Sequence, residues 1–260
     1  MSGKNSDLPV RLGAALAMIG GALAAMWFGG FVFWLLVAIG ALLMLSEWAG
    51  LVGAVPQRRI AQYALTVPLA LMCPPPIAMG PSWLVLGLIL GVAFFIAAVS
   101  RNGRLGWGAA YVGIPALSLV FLREQEPWTN GLLLVFWAMA LVWACDSGAY
   151  FAGRAIGGPK LAPSISPNKT WAGLAGGIAG ASAAAWGMVI LFGLPSNLAL
   201  VTPLLAVLAQ LGDLYESHLK RCAGVKDSGN LLPGHGGLLD RLDGLVAVAP
   251  AAALLVLLLR

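Results

Sequence analysis

Apolar stretches long enough to cross a lipid bilayer recur along this chain from Val10 to its last residue. At a helical rise of about 1.5 Å per residue, roughly 20 apolar residues span about 30 Å of hydrocarbon. Apolar residues make up 60% of the 260 positions and charged residues 10%, whereas about a quarter of an average soluble domain is charged. The sequence therefore predicts an all-α fold, a polytopic transmembrane helical bundle, and excludes a water-soluble one.

Apolar windows between Gly, Pro and charge clusters predict about nine helices. Only Gly29 and Gly30 separate the first two, so a count of eight stays open. The first apolar run has no clear small-residue cleavage site, and we expect it to be a retained span and not a signal peptide. The predicted ranges are 10–28, 31–49, 60–73, 82–99, 106–122, 131–152, 171–193, 197–218 and 238–259.

The basic residues predict the orientation of these helices. With nine spans and a cytoplasmic N-terminus, thirteen of the fifteen Lys and Arg residues fall on the cytoplasmic side, and only Arg123 and Arg260 fall outside. This is the bias that the positive-inside rule describes. We expect five N-terminal spans in 1–130 and a catalytic region in 131–260, whose long loops 153–170 and 219–237 face the cytoplasm of a bacterial inner membrane.

The net charge of +5 is the only feature that suggests nucleic acid. In a membrane protein, basic residues first report topology and attraction to anionic headgroups, so we expect no nucleic-acid partner. The three cysteines, Cys73, Cys145 and Cys222, are widely spaced and never form a C-x-x-C pair. This spacing argues against both a disulfide framework and a zinc site.

Carboxylates gather in the apolar helices of the second half of the chain. Each acid near hydrocarbon costs about 2.5–3.5 kcal/mol on insertion scales, so a cluster of them needs a partner or a metal. A further acid, Glu47, is isolated on the second helix. The clustered acids are Asp146, Asp213, Glu216, Asp240 and Asp243.

The spacing of these acids indicates a shared site. Asp213, Glu216, Ser217 and Lys220 lie on one face of the eighth helix, and the two acids of the ninth helix are likewise one turn apart. Oxygen ligands of this kind suit Mg²⁺. The alternative, that the acids pair with Lys220, Arg221 and Arg241 at headgroup level, stays open on spacing alone.

Two glycine-rich loops are candidates for binding phosphate. In 219–237, Gly236 and Gly237 lead into the N-terminal end of the ninth helix, where backbone N–H groups and the helix dipole favour anions. In 153–170, Ser166 or Thr170 is suited to cap the seventh helix, and Lys169 is suited to a nucleotide phosphate. A plain turn is the alternative for the first loop. Glycines at four-residue spacing in 171–193 predict close packing of that helix against a neighbour.

The motif from Ser217 to Asp243 resembles the signature of the phosphatidate cytidylyltransferases (CDP-diacylglycerol synthases) throughout its 27 positions. It reads Ser-His-Leu-Lys-Arg at 217–221, Lys-Asp-Ser-Gly at 226–229, Leu-Pro-Gly-His-Gly-Gly-Leu at 232–238 and Asp-Arg-Leu-Asp at 240–243. The runs 146–150 (Asp-Ser-Gly-Ala-Tyr) and 166–170 (Ser-Pro-Asn-Lys-Thr) are similar to other motifs of that family. The resemblance covers roughly the C-terminal half, and the first 130 residues match only in being spans.

The resemblance implies an enzyme that transfers a cytidylyl group from CTP to phosphatidic acid, with bound Mg²⁺ and an accompanying K⁺. It implies that Asp213, Asp240 and Asp243 hold the metal. Catalytic roles fall to Asp213, Ser217, Lys220, Arg221, Lys226, Asp227, His235, Asp240, Arg241 and Asp243. Substrate binding falls to Asp146, Ser166, Asn168, Lys169, Thr170, Gly236 and Gly237. Where the family often has Glu, this chain has Ala172, so no role of that Glu carries over.

Two other classes of protein remain as alternatives. A transporter of ions or lipids would also place acids inside the membrane, although these acids crowd one face and no internal repeat is visible. A non-catalytic lipid-binding protein would not need clustered carboxylates opposite a basic glycine loop. The expected partners are CTP, phosphatidic acid and membrane lipids. A homodimer is the assembly that we name as an expectation, because no residue pattern in the sequence indicates an oligomeric state.

Overall fold

The computed structural model describes residues 19–125, 128–231 and 236–259, with the side chains of 128–130 left out. The described chain forms nine α-helices, a 3₁₀ turn at Val55–Gln57 and one antiparallel β-hairpin. The helices are α1 (Ile19–Phe28), α2 (Gly30–Leu51), α3 (Arg58–Leu71), α4 (Trp83–Ser100), α5 (Gly103–Arg123), α6 (Trp128–Ile156), α7 (Trp171–Phe192), α8 (Ser196–Cys222) and α9 (Leu239–Leu258). The hairpin strands are β1 (Lys160–Ala162) and β2 (Ser166–Thr170).

Seven of the described helices are long and apolar enough to cross a membrane. The prediction of an all-α polytopic bundle is therefore confirmed. Helix α3 has 14 residues, or about 21 Å, which is shorter than the hydrocarbon core. Residues 10–18 of the first predicted span lie outside the described residues. The count of nine spans and the cytoplasmic N-terminus stay predictions.

The connection 153–170 differs from the polar loop expected there. Helix α6 continues to Ile156, and Gly157 and Gly158, both with positive φ, end it. Strands β1 and β2 follow, with Lys160 paired to Thr170. Helix α8 likewise runs on to Cys222. Hydropathy marks where the hydrocarbon ends, whereas helical hydrogen bonds are internal and continue beyond that point.

The chain divides into two compact units. The first contains the described residues up to Val120 together with Ala223–Arg241. In it α2 packs on α3, and α3 packs on α4. The indole N–H of Trp48 donates to the carbonyl of Arg104 at 2.8 Å. A side chain at Gly108 would overlap the same indole ring, so this glycine lets α2 and α5 approach closely.

The second unit contains Phe121–Cys222 and the rest of α9 from Leu242. Helices α6 and α7 form its most extensive contact. A Cβ atom at Gly148 would lie 2.4 Å from the carbonyl oxygen of Gly176, and one at Gly180 would lie 2.7 Å from that of Ala144. The two backbones therefore touch directly, as small residues in membrane helices allow. The packing predicted from the glycine spacing of 171–193 is confirmed.

Candidate active site

In the second unit, three carboxylates lie around one lysine. Asp146 is on α6, Asp213 is on α8 and Asp243 is on the second turn of α9. Lys169, at the end of β2, places its ammonium nitrogen 2.5 Å from Asp213 Oδ2. The three carboxylates repel one another electrostatically and are attracted by this ammonium. When all three are ionised, these carboxylates outnumber the single cation, and a further cation would stabilise the cluster.

Glycine packing positions two of these acids. A Cβ at Gly212 would lie 2.7 Å from the carbonyl oxygen of Asp243, so the backbones of α8 and α9 touch beside Asp213. Gly148 makes the equivalent contact between α6 and α7, two residues after Asp146. The carboxylates are therefore held by direct backbone packing, which limits how far their helices can separate.

Gln210 links the members of the cluster, and the sequence reasoning missed it. Its side-chain amide donates to Asp146 Oδ1 at 3.4 Å, and its backbone carbonyl oxygen accepts from the ammonium of Lys169 at 3.5 Å. Ser217 donates to Asp213 Oδ1 at 3.3 Å. Gln210, Asp213 and Ser217 share one helix face at i, i+3 and i+7. That spacing, together with the cost of a polar amide in an apolar helix, was the available signal.

Glu216 pairs with Lys220, as in the alternative in which the acids form ion pairs with nearby basic residues. Lys220 Nζ lies 3.1 Å from Glu216 Oε1, one helical turn away, and the Glu216 side chain is fully buried. A buried carboxylate of this kind requires a paired cation. Lys220 therefore neutralises Glu216 here, and its predicted role toward the nucleotide stays a prediction.

The predicted substrate-binding residues of 166–170 lie on β2. Thr170 Oγ1 accepts from the backbone N–H of Gly173 at 3.0 Å, so Thr170 caps α7 as one reading proposed. Ser166 does not cap that helix, because it pairs with Ala162 in the hairpin. Asn168 is exposed and Lys169 is half-buried. The hairpin thereby fixes the base from which Lys169 reaches Asp213.

In the first unit, Asp240 fastens the glycine-rich loop. Its Oδ2 atom accepts from the backbone N–H of Ser228 at 2.8 Å, from the hydroxyl of Ser228 at 2.9 Å and from the backbone N–H of Gly237 at 2.8 Å. One carboxylate oxygen thus joins both described ends of the loop. The assignment of Asp240 to the metal stays a prediction.

Glu47 of α2 joins the same network, although no role was predicted for it. Its Oε1 accepts from the N–H of Leu238 and its Oε2 from that of Leu239, both at 2.8 Å. Ser228 Oγ lies 3.1 Å from Oε2. The cost of an isolated acid in an apolar span was the signal that it needed partners.

The other predicted loop residues are exposed or lie outside the described residues. The side chains of Arg221, Lys226, Asp227 and Arg241 are exposed. Gly236 has φ +83°, a conformation that favours glycine. His235 lies outside the described residues, so the prediction about it is untested.

Oxygen ligands dominate the cluster on α6, α8 and α9, and such ligands suit Mg²⁺ or K⁺. As they stand, no three His, Cys, Asp or Glu side chains in 19–125, 128–231 and 236–259 converge on one point closely enough to hold a metal ion. Lys169 lies against Asp213, where a metal ion would have to replace it or share the carboxylate. The donor chemistry fits a hard cation, and the ligand set stays a prediction.

Comparison with known proteins agrees with the motifs. The model of the cytidylyltransferase family matches residues 9–259. A phosphatidate cytidylyltransferase of Brucella suis is 50% identical over 175 residues, which are 65% of this chain and 63% of that enzyme. One from Bacillus subtilis is 46% identical over 151 residues, covering 57% and 55% of the two chains. One from Pseudomonas aeruginosa is 38% identical over 263 residues, covering 95% and 92%.

The alignment therefore spans less than two thirds of the Brucella and Bacillus enzymes and nearly all of the Pseudomonas one. The family match runs through every helix described above, including the five N-terminal helices that carried no motif. It confirms the family that the residues of the C-terminal half resemble. This chain belongs to the cytidylyltransferase family.

Proposed function

We propose that this protein transfers a cytidylyl group from CTP to phosphatidic acid, forming CDP-diacylglycerol and pyrophosphate. The observation that supports it best is the cluster of Asp146, Asp213 and Asp243 around Lys169 on apolar helices. The names of the Brucella, Bacillus and Pseudomonas relatives point to the same reaction. Neither those names nor the family match supports a transporter.

In the proposed reaction, the phosphate of phosphatidic acid attacks the α-phosphorus of CTP and pyrophosphate leaves. That phosphate is already ionised near neutral pH, so no residue has to act as a general base. The obstacle is the repulsion between the two anionic substrates. Cationic groups must screen this repulsion while the attacking phosphate and the leaving pyrophosphate are held in line. Lys169 supplies one such charge, and exposed Arg221, Lys226 and Arg241 are the proposed others.

We propose that Asp213 and Asp243, with Asp240 as predicted from the resemblance, hold Mg²⁺ accompanied by K⁺. Bound Mg²⁺ supplies charge stabilisation to the transferring phosphoryl oxygens. Asp146 and Gln210 orient this cluster through the hydrogen bond between them. Ser217 keeps Asp213 in place through its hydroxyl. The two supporting roles rest on the hydrogen bonds from Gln210 to Asp146 and from Ser217 to Asp213.

The direct test is a reconstituted assay with radiolabelled CTP and defined lipids. Pyrophosphate release should require CTP, Mg²⁺ and phosphatidic acid together, and the label should appear in the lipid fraction. Flux of ions or lipid across sealed vesicles without CTP would instead support the transporter alternative. Mass measurement of the detergent-solubilised protein would decide whether it is a homodimer.

Lys226→Ala tests whether the glycine-rich loop binds the nucleotide. Lys226 is exposed, so an ion pair there would contribute at most about 1 kcal/mol to stability. If Lys226 contacts the triphosphate, its loss should weaken CTP use about tenfold while thermal stability stays almost unchanged. The exposed Lys160 offers a matched control, since Lys160→Ala removes the same charge elsewhere. A defect confined to the apparent affinity for phosphatidic acid would assign the loop to the other substrate.

We further propose that the reaction takes place on the cytoplasmic face of the membrane, where CTP is found. The support is the positive-inside bias of the basic residues. A membrane-impermeant maleimide should label Lys160→Cys and Asn230→Cys, each made singly, only from the cytoplasmic side. The background needs Cys222→Ser, because Cys222 is exposed whereas Cys73 and Cys145 are buried. Labelling of either cysteine from the outer face would reject this topology.

A further inference from the structure

We propose that Glu47, on helix α2, is a positioning residue for the reaction. It holds the first turn of α9 and the adjoining ends of the glycine-rich loop in the conformation that receives CTP. This inference rests on the proposed function. It gives one of the N-terminal helices, which carry no motif of the family's signature, a defined part in nucleotide use.

The contacts of Glu47 are directed at loop backbone. Both carboxylate oxygens accept a backbone N–H, from Leu238 and from Leu239, each at 2.8 Å. These residues are 191 and 192 positions away in the chain. Hydrogen bonds to an ionised acceptor are roughly twice as strong as neutral ones. They also satisfy N–H groups that the first turn of α9 cannot pair internally.

Charge balance supports a positioning role. Glu47 lies in a helix of high apolar content, where an acid is costly. Glu47 belongs to neither the Lys169–Asp213 nor the Lys220–Glu216 ion pair. The N–H groups and dipole at the start of α9 are therefore what stabilise its charge. If this position only anchored α2 in the membrane, an apolar residue would do so at a lower free-energy cost than an acid.

The loop is shaped around this carboxylate. A Cβ at Gly237 would lie 2.6 Å from Glu47 Oε2 and still closer to the Ser228 hydroxyl, and one at Gly229 would lie 3.0 Å from Glu47 Oε1. A side chain at Gly237 would overlap both groups, and one at Gly229 would crowd the carboxylate. Lys226 is two residues before Ser228, so displacement of this contact would move a group proposed to bind CTP.

Ser228 connects Glu47 to Asp240, and its contacts indicate which substitution should disturb the loop more. Its hydroxyl lies 3.1 Å from Glu47 Oε2 and 2.9 Å from Asp240 Oδ2, yet it has one proton to donate at a time. Each carboxylate also accepts two backbone N–H groups. Ser228→Ala should therefore disturb the loop less than Glu47→Gln, in which an amide N–H₂ must face a backbone N–H.

The first measurement is amide hydrogen exchange of the full-length protein in detergent micelles. In Glu47→Gln, the peptide containing Leu238 and Leu239 should exchange about tenfold faster, because one of these two amides loses its acceptor and the other keeps only a neutral one. The matched control is Gln62→Met, which removes a hydrogen bond from the Gln62 amide to the carbonyl of Leu42 and thus loosens α2 away from the loop. Unchanged exchange in Glu47→Gln would overturn the inference, whether or not the protein transfers cytidylyl groups.

The second measurement separates positioning from folding. Per folded enzyme, Glu47→Gln should raise KM for CTP about tenfold and change KM for phosphatidic acid less than twofold. Gln62→Met should leave both within twofold, and Ser228→Ala should fall between the two variants. Faster exchange with an unmoved KM for CTP would reduce Glu47 to a structural residue and overturn the proposal. A wild-type protein with no transfer activity would reject the proposed function, while the exchange result would still stand.

Discussion

Asp213→Asn is expected to lower cytidylyl transfer at saturating CTP by at least about a hundredfold. The asparagine keeps the shape of the side chain but removes the charge that faces Lys169 and the neighbouring carboxylates. Changes to groups that only support a metal ligand typically cost 10–100-fold, and loss of a proposed ligand should cost more. The measurement is turnover as a function of Mg²⁺ concentration.

The same variant should change little in stability in the absence of Mg²⁺. Removing one of three carboxylates relieves their mutual repulsion, and this gain opposes the loss of the ion pair between Lys169 and Asp213. Ser217→Ala is the graded comparison, because it removes the hydrogen bond to Asp213 but leaves its charge. Near-normal turnover of Asp213→Asn at saturating Mg²⁺ would remove Asp213 from the proposed site.

Gly148→Leu is expected to have the largest effect on folding. A Cβ at this position would lie 2.4 Å from the carbonyl oxygen of Gly176 and 3.0 Å from its carbonyl carbon. Overpacking a core typically costs 1–3 kcal/mol, and backbone cannot move aside as a side chain does. We expect a loss of about 3 kcal/mol or more, seen as aggregation on size-exclusion chromatography and a lower melting temperature in detergent.

Gly187→Leu is the matched control on helix α7. A Cβ at Gly187 would meet nothing within 4 Å, so the same change of side chain should leave the melting temperature almost unchanged. If both variants were equally stable, α6 and α7 would not pack backbone to backbone, and the position of Asp146 would need another explanation.

Several features of the fold followed from periodicity and hydropathy. The predicted range 171–193 became α7 at Trp171–Phe192, and 82–99 became Trp83–Ser100. The hairpin Lys160–Thr170 was not predicted, because its two short strands carry no sustained alternation of apolar residues. The hydropathy pattern that predicts the helices carries no information about the pairing of these two strands.

The candidate site divides in the same way. Asp146, Asp213 and Asp243 were predicted because acids in apolar helices are costly, and the structure places them together around Lys169. The cost of an acid in an apolar helix does not identify the partner that the acid takes. Glu216 takes Lys220 on its own helix, which the alternative reading allowed. Gln210 was not predicted, because an uncharged amide in an apolar helix costs less than an acid and so stands out less in the sequence.

The sequence by itself determined the class of protein, the family and the side chains available for chemistry. Composition excludes a soluble fold, and a motif of 27 positions names the family. Only the tertiary structure decided that Glu47 meets Leu239 across 192 positions. Helical periodicity relates residues a few turns apart, whereas contacts between helices depend on how glycines let two backbones approach. The partners of Glu47, which has no motif around it, could therefore be identified only from the folded chain.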